Sequence, residues 1–307
     1  MDRNNPFYAQ VALLIRVLPF LAERECFALK GGTAINLFVR NLPRLSVDID
    51  LVYLPVNTRD EALADIRHHL DLLETKLRRA LPGLRVQRPP EQVSDSQRLT
   101  LRHDNVQIKV ELSPVLRGTV WPVTSMEVCP EVEEQFGYVA TPVVSINDLY
   151  AGKICAALDR QHPRDLFDVM LLLNAEGITR DLFRTFLVYL VSHGRPIAEL
   201  LSPTRKDIAH AYEAEFKDMT REQVALAELL ETRERVIATL HTMLTDDDRT
   251  FLLSVKGRAP NWSLLGLEGV GELPAVKWKL QNLARMKPDK HAAAYARLEE
   301  VLRNTRA

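Results

Sequence analysis

From Tyr8 to about Glu23 the apolar residues Val11, Leu14, Ile15 and Leu18 recur at helical spacing. The next run, CFAL, reads as a short buried strand ended by Gly31-Gly32. Thr33 is placed to cap a helix through AINLFVRN, which Pro43 stops. SVDIDLVYL then alternates as a strand, and EALADIRHHLDLLETKLRRAL has the pattern of a long amphipathic helix. After Pro82-Gly83, the segments RLTLRHD, VQIKVELS and TSMEVCP read as strands, with Gly, Pro and Asn between them. From Ser145 onward the texture is helical, through SINDLYAGKICAALDR, PRDLFDVMLLLNAEG, DLFRTFLVYLVSHG, EQVALAELLETRERVIATLHTML and KHAAAYARLEEVLRN. One Gly-, Trp- and Pro-rich piece, KGRAPNWSLLGLEGVGELPAVKW, interrupts these helices as an ordered loop or small subdomain. The change of texture predicts an α+β core over residues 1–143 and a helical domain over residues 144–307.

Composition narrows this picture only slightly. With 46% hydrophobic and 26% charged residues, the 307-residue chain is that of an ordinary globular protein, which excludes disorder, collagen and a disulfide scaffold. A net charge of -1 excludes a wholesale basic footprint for nucleic acid. A local patch remains in KLRRALPGLRVQR, from Lys76 to Arg88, for which a solvated face is the commoner role. Cys26, Cys129 and Cys155 lie far apart with no paired spacing, so neither a zinc motif nor a disulfide framework is indicated, and a reduced cytoplasmic setting is expected. The run VALLIRVLPFLA, broken by Arg16 and Pro19, is too short to span a bilayer and reads as a core helix, with no membrane partner. The balanced charge gives no reason to expect more than a monomer.

The chemistry concentrates in a few positions. In SVDIDLV, Val47, Ile49 and Leu51 point one way and Asp48 and Asp50 the other, so two carboxylates stand side by side on a strand that is otherwise apolar. Water at an edge strand would account for a lone D-x-D; a hard divalent ion such as Mg²⁺, taking carboxylates and substrate phosphates together, accounts for it as a site. Gly31, Gly32 and Thr33, at the start of a helix after a strand, form the kind of turn whose amides hold anions. In VQIKVELSP, Gln107, Lys109 and Glu111 share a face; if that strand lies beside the first, Glu111 completes a set of three carboxylates. Ser46 shares the face of Asp48 and joins the nucleotide-binding candidates; phosphorylating it would add about two negative charges there. In the helical half, Lys153 falls within the apolar arc of Ile146, Leu149, Ala156 and Ala157, where a lysine snorkels or reaches a buried anion such as a triphosphate. Asp165 suits the dipole of a helix opened by Pro163, and Asp168, one turn on, is placed to face Lys153 or a nucleotide; Arg164 is equally suited to the surface.

The ordered series G-G-T, R-L-S-V-D-I-D from Arg44 to Asp50, K-V-E from Lys109 to Glu111, and DLYAGKICAALDRQHPRDLFDV resembles the AbiEii/AbiGii nucleotidyltransferase toxin family of bacterial toxin–antitoxin systems. The resemblance runs to about Leu173, with only general texture and GRAPNWSLLG beyond. It implies a DNA polymerase β-like nucleotidyltransferase core with a mixed sheet and a helical C-terminal domain that contributes Lys153 and Asp168 to the site. Asp48 and Asp50 would bind Mg²⁺, or Mn²⁺, with Glu111 as the third acidic position, where Glu departs from Asp by one methylene. Gly32 and Thr33 would hold phosphates of the NTP donor, Lys153 would be the essential lysine and Asp168 its acidic partner. The implied activity is transfer of nucleotides to an RNA 3′ end, with tRNA the expected acceptor, silenced by a cognate antitoxin. Two other readings share the motifs: nucleotidyl transfer to a protein or small-molecule hydroxyl, and a non-catalytic NTP-binding interaction module.

Overall fold

A computed structural model of the chain describes residue 5 and residues 7–88 and 97–305. It divides into two compact units, the first made of the chain up to Ser145 with Lys217–Gln223, the second of Ile146–Phe216 and the chain from Val224. No helix among the described residues is long and apolar enough to cross a membrane.

The first unit is built on a seven-stranded mixed sheet in the order β3-β4-β5-β2-β1-β7-β6. The strands are β1 (Phe27–Lys30), β2 (Asp48–Tyr53), β3 (Arg85–Gln87), β4 (Gln97–His103), β5 (Val106–Arg117), β6 (Thr124–Glu127) and β7 (Ala140–Val143). β2 runs parallel to β5, and β1 parallel to β7; the other neighbours are antiparallel. Helix α1 (Tyr8–Ala22) buries Val11, Leu14, Leu18 and Leu21 while Arg16 and Pro19 stay exposed, so the residues that break its apolar run are those left facing water. The long helix α3 (Arg59–Ala80) is seated by a capping box in which Thr58 and Glu61 satisfy each other's backbone amides. It buries Ile66, Leu70, Leu73 and Leu77.

The glycine turn differs from the expected cap. α2 (Gly31–Ala34) opens at Gly31 itself, passes into a π-helical turn over Ile35–Val39, and has Thr33 inside it. The Thr33 hydroxyl donates to the Asp48 carbonyl at 2.5 Å, so it ties the turn to β2 instead of capping a helix. β3, β7 and α4 (Pro130–Phe136) were also not legible in the pattern. The basic stretch from Lys76 to Arg88 is laced with acids of its own unit: Arg78 meets Glu74 at 2.9 Å, Arg88 meets Asp71 at 2.6 Å, and Lys76 pairs with Glu23. That is the arrangement of a solvated face. Residues 217–223 return to the sheet unit, where Thr220 bridges to Arg44 and the Met219 carbonyl accepts from the Leu45 amide at 2.8 Å.

The second unit is helical: α5 (Ile146–Asp159), α6 (Pro163–Asn174), α7 (Arg180–Ser192), α8 (Ile197–Leu201), α9 (Ala209–Glu215), α10 (Leu226–Met243), α11 (Asp246–Lys256), α12 (Pro274–Ala284) and α13 (Pro288–Asn304). Leu149, Ile154, Leu166, Phe183, Phe186, Leu229 and Val236 fill its core. The Gly- and Trp-rich interruption holds two 3₁₀ turns, Trp262–Leu264 and Val270–Glu272, with Trp262 packed on Phe251 at 5.5 Å between ring centroids.

Candidate active site

Register assembles the first unit's polar row. β5 lies beside β2, and Asp50 stands opposite Glu111 while Asp48 stands opposite Lys109. Lys30 on β1 faces Asp50, and Arg98 on β4 faces Glu111, so one row across four strands reads Arg98, Glu111, Asp50, Lys30. Directly paired residues share a face, which gives two carboxylates bracketed by two cations. Arg98 closes on Glu111 at 2.8 Å. The protein's own cations therefore offset part of the repulsion that two adjacent aspartates and a glutamate would generate.

The glycine turn is pressed against this row. Gly31 has φ +75°, and a Cβ there would fall 2.3 Å from Asp50 Oδ2. Any side chain would meet both a left-handed backbone and the carboxylate, so only glycine fits. A Cβ on Gly32 would lie 2.7 Å from Arg44 Nη2 and 3.0 Å from Ser46 Oγ. Thr33 Oγ1 is 3.0 Å from Ser46 Oγ, and Arg44, itself 2% exposed, donates to the Leu45 carbonyl at 2.9 Å. The G-G-T and R-L-S-V-D-I-D motifs are thus one packed object, with Gly31, Gly32, Thr33, Ser46, Asp48, Asp50 and Glu111 brought together. Ser46 is buried under it, so a kinase would need the turn to open. The donor set, three carboxylates without sulfur or nitrogen, is of the hard-oxygen kind that suits Mg²⁺ or Mn²⁺.

The second unit contains a different cluster. Lys153 on α5 is 7% exposed, and its Nζ lies 2.9 Å from Asp165 Oδ1 and 3.0 Å from Asp168 Oδ2, both on α6. The buried anion sought by the lysine is this carboxylate pair. Asp165 does more than complement the helix dipole: Arg160 grips it through two hydrogen bonds, at 3.0 and 2.9 Å. Burial pushes the Asp165 carboxyl up, but Lys153 and Arg160 outweigh it and hold the group below its ordinary value. His162 caps α6 by accepting from the Arg164 amide at 3.2 Å. Burial, aided by Arg164, lowers the His162 pKa, in keeping with a neutral ring whose Nδ1 can accept. Arg164 meets Glu215 at 3.4 Å.

Four participants were not singled out from the sequence. Tyr189 donates to Asp148 Oδ1 at 3.0 Å, and a Cβ on Gly152 would touch its ring at 3.4 Å, so D-L-Y-A-G-K carries an acceptor, a gap for a tyrosine and the buried lysine on one helix. Arg160 is the fourth. Asp148 and Gly152 were inside the recognised motif; Tyr189, about 40 residues on, left no local sign.

A family model described as "Nucleotidyl transferase AbiEii toxin, Type IV TA system" matches residues 12–282. Among solved structures, the chain is similar to MenT4, the nucleotidyltransferase toxin Rv2826c from Mycobacterium tuberculosis H37Rv, with a TM-score of 0.60 and 17% identity over 92% of this chain and 95% of that one. At that identity the likeness speaks to the fold. Among curated proteins no sequence matches. With the family model spanning most of the chain, the protein belongs to the AbiEii family of nucleotidyltransferase toxins of toxin–antitoxin systems.

Proposed function

We propose that the protein transfers nucleotides from an NTP to the 3′ end of an RNA, with tRNA the expected acceptor, and that this arrests growth in the cytoplasm until a cognate antitoxin silences it. The observation that carries the reading is the register of Asp50 with Glu111, two residues from Asp48 and hard against the Gly31 turn. In this reading Asp48, Asp50 and Glu111 hold Mg²⁺. When bound, the ion neutralises triphosphate charge and favours the ionised 3′ hydroxyl. Gly31 leaves room beside Asp50, and Gly32 and Thr33 take the phosphates. Thr33 and Ser46 fix the strand end from which Asp48 projects. Lys153 takes the position of the family's essential lysine, with Asp165 and Asp168 fixing its ammonium.

The test is incubation of the purified protein with total bacterial RNA, Mg²⁺ and each α-labelled NTP in turn, resolved on a denaturing gel. Label in a tRNA-sized band with one or two NTPs, lost in Asp50→Ala, is expected. Label on protein, or on nothing, with a folded and metal-replete enzyme would overturn the RNA reading.

A further inference from the structure

On the opposite face of the sheet, Cys26, Asp65 and His69 converge, each offering a ligand atom within 4.8 Å of the other two. Phe27 and Tyr53, paired across β1 and β2, alternate away from Asp50 and lie on this face, where Phe27 sits edge-on to His69 at 5.9 Å. The cluster is therefore separate from the carboxylate row. We propose that Cys26, Asp65 and His69 form a binding site for a zinc-class divalent transition ion, which ties the turn before β1 to helix α3.

Four observations support it. Asp65 and His69 are four apart on α3 and so share its face, with His69 Nε2 3.5 Å from Asp65 Oδ1. The His69 Nδ1 is buried and has no hydrogen-bond partner among the described residues, an orphaned nitrogen on the ring whose Nε2 faces Asp65. Asp65 is oriented from behind: Tyr53 donates to its Oδ2 at 2.7 Å, and Asn57 donates to the Tyr53 oxygen at 3.1 Å, which leaves Oδ1 for a ligand. Finally, one thiolate, one carboxylate and one neutral imidazole sum with a divalent cation to zero charge, so the half-buried centre needs no further counter-ion. Three protein ligands leave a fourth, tetrahedral position for water, and Asp65 and His69 are accessible enough to admit it, with side chains 39% and 25% exposed. Mixed sulfur, nitrogen and oxygen donors favour Zn²⁺ or Co²⁺ over Mg²⁺. Cysteine spacing alone could not show this, because the three ligands come from a turn and a helix about 40 residues apart.

The test uses the full chain stripped by a chelator and titrated with Co²⁺. A thiolate-to-cobalt charge-transfer band saturating at one equivalent, displaced by Zn²⁺ but not by excess Mg²⁺, is expected. It is expected to vanish in Cys26→Ser and persist in Cys129→Ser, with Zn²⁺ binding at least tenfold weaker in His69→Gln. X-ray absorption at the zinc edge of the wild-type protein covers the case in which a variant fails to fold: one sulfur scatterer is expected. Absence of a saturable band, a band that survives Cys26→Ser, or an oxygen-only zinc shell would each overturn the site.

Discussion

Replacing Lys153 with alanine removes an ammonium that lies within 3.0 Å of both Asp165 and Asp168. Those carboxylates are 2% and 0% exposed, so water cannot take over its role. Asp165 retains the two hydrogen bonds from Arg160, so its charge stays partly compensated. Removing one partner of a buried ion pair costs about 3–5 kcal/mol, against a total stability of about 5–15 kcal/mol for a folded domain. For a domain of this size that is a fall in Tm of roughly 6–20 °C. Urea denaturation of wild type, Lys153→Met, Asp168→Asn and the double variant measures the coupling, and the double variant is expected to recover part of the loss because it also removes the buried negative charge that faced the ammonium. The pH dependence has a definite sign. The Asp165 carboxyl is depressed in the fold, so its contribution is present above the unfolded value of about 3.9 and is lost as pH falls through the lower folded value. Without Lys153 that acid limb begins at higher pH. A Lys153→Ala protein within about 1 kcal/mol of wild type, or a double variant no more stable than Lys153→Met, would mean that the lysine does not compensate the buried carboxylates. Loss of transfer in Lys153→Ala therefore implicates the lysine in chemistry only if measured well below the variant's own Tm.

Gly31→Ala is expected to cost about 1–2 kcal/mol from the left-handed backbone alone, with further loss because its methyl would displace Asp50; weakened Mg²⁺ binding by calorimetry is the readout, and unchanged binding and stability would count against the packed turn. Asp248 caps α11 at Thr245 and accepts from Arg180 at 2.6 and 2.8 Å, so Asp248→Asn is expected to lose about 1–3 kcal/mol at neutral pH in urea melts. Burial alone would raise the Asp248 carboxyl, but Arg180 and Thr245 hold it low, so the gap between variant and wild type should close as pH falls below about 3.9.

The legible parts of the sequence were those with long, strong periods. α1, α3 and, in the second unit, α5, α6, α7, α10 and α13 announced themselves through apolar spacing, and β2 through the alternation around Asp48 and Asp50; α8, α9 and α11 did not, and α12 starts inside the piece read as a loop. β3 is three residues long, too short for any period, and α4 begins at a proline within a segment read as strand. The return of 217–223 to the sheet unit is held by scattered contacts to Asn5, Pro43, Arg44, Leu45 and Glu131, which leave no pattern in any one segment. The candidate carboxylates were legible by type and spacing, yet the charges that surround them were not. Nothing in the sequence says that Arg98 and Lys30 would bracket Glu111 and Asp50, because that requires a register across four strands. The same holds for Tyr189 on Asp148 and for Cys26 beside Asp65 and His69: each is a contact between elements distant in the chain.

The register also decides which variants report on chemistry. A one-residue slip of β2 would turn Ile49 and Leu51 outward and both aspartates into the core, so the register is held by the apolar face, where those two residues are 0% and 2% exposed. Asp48 and Asp50 are only half-buried and project from the other face. Neutralising either one removes a negative charge from a sheet face that carries three carboxylates, which relieves repulsion and leaves the apolar face untouched. Asp50→Asn should therefore match or exceed wild-type stability while its Mg²⁺ affinity falls, the opposite sign from any change at Lys153. If Asp50→Asn instead melts well below wild type, the carboxylate is holding the fold through Lys30 and the Gly31 turn, and its loss of activity would say nothing about metal.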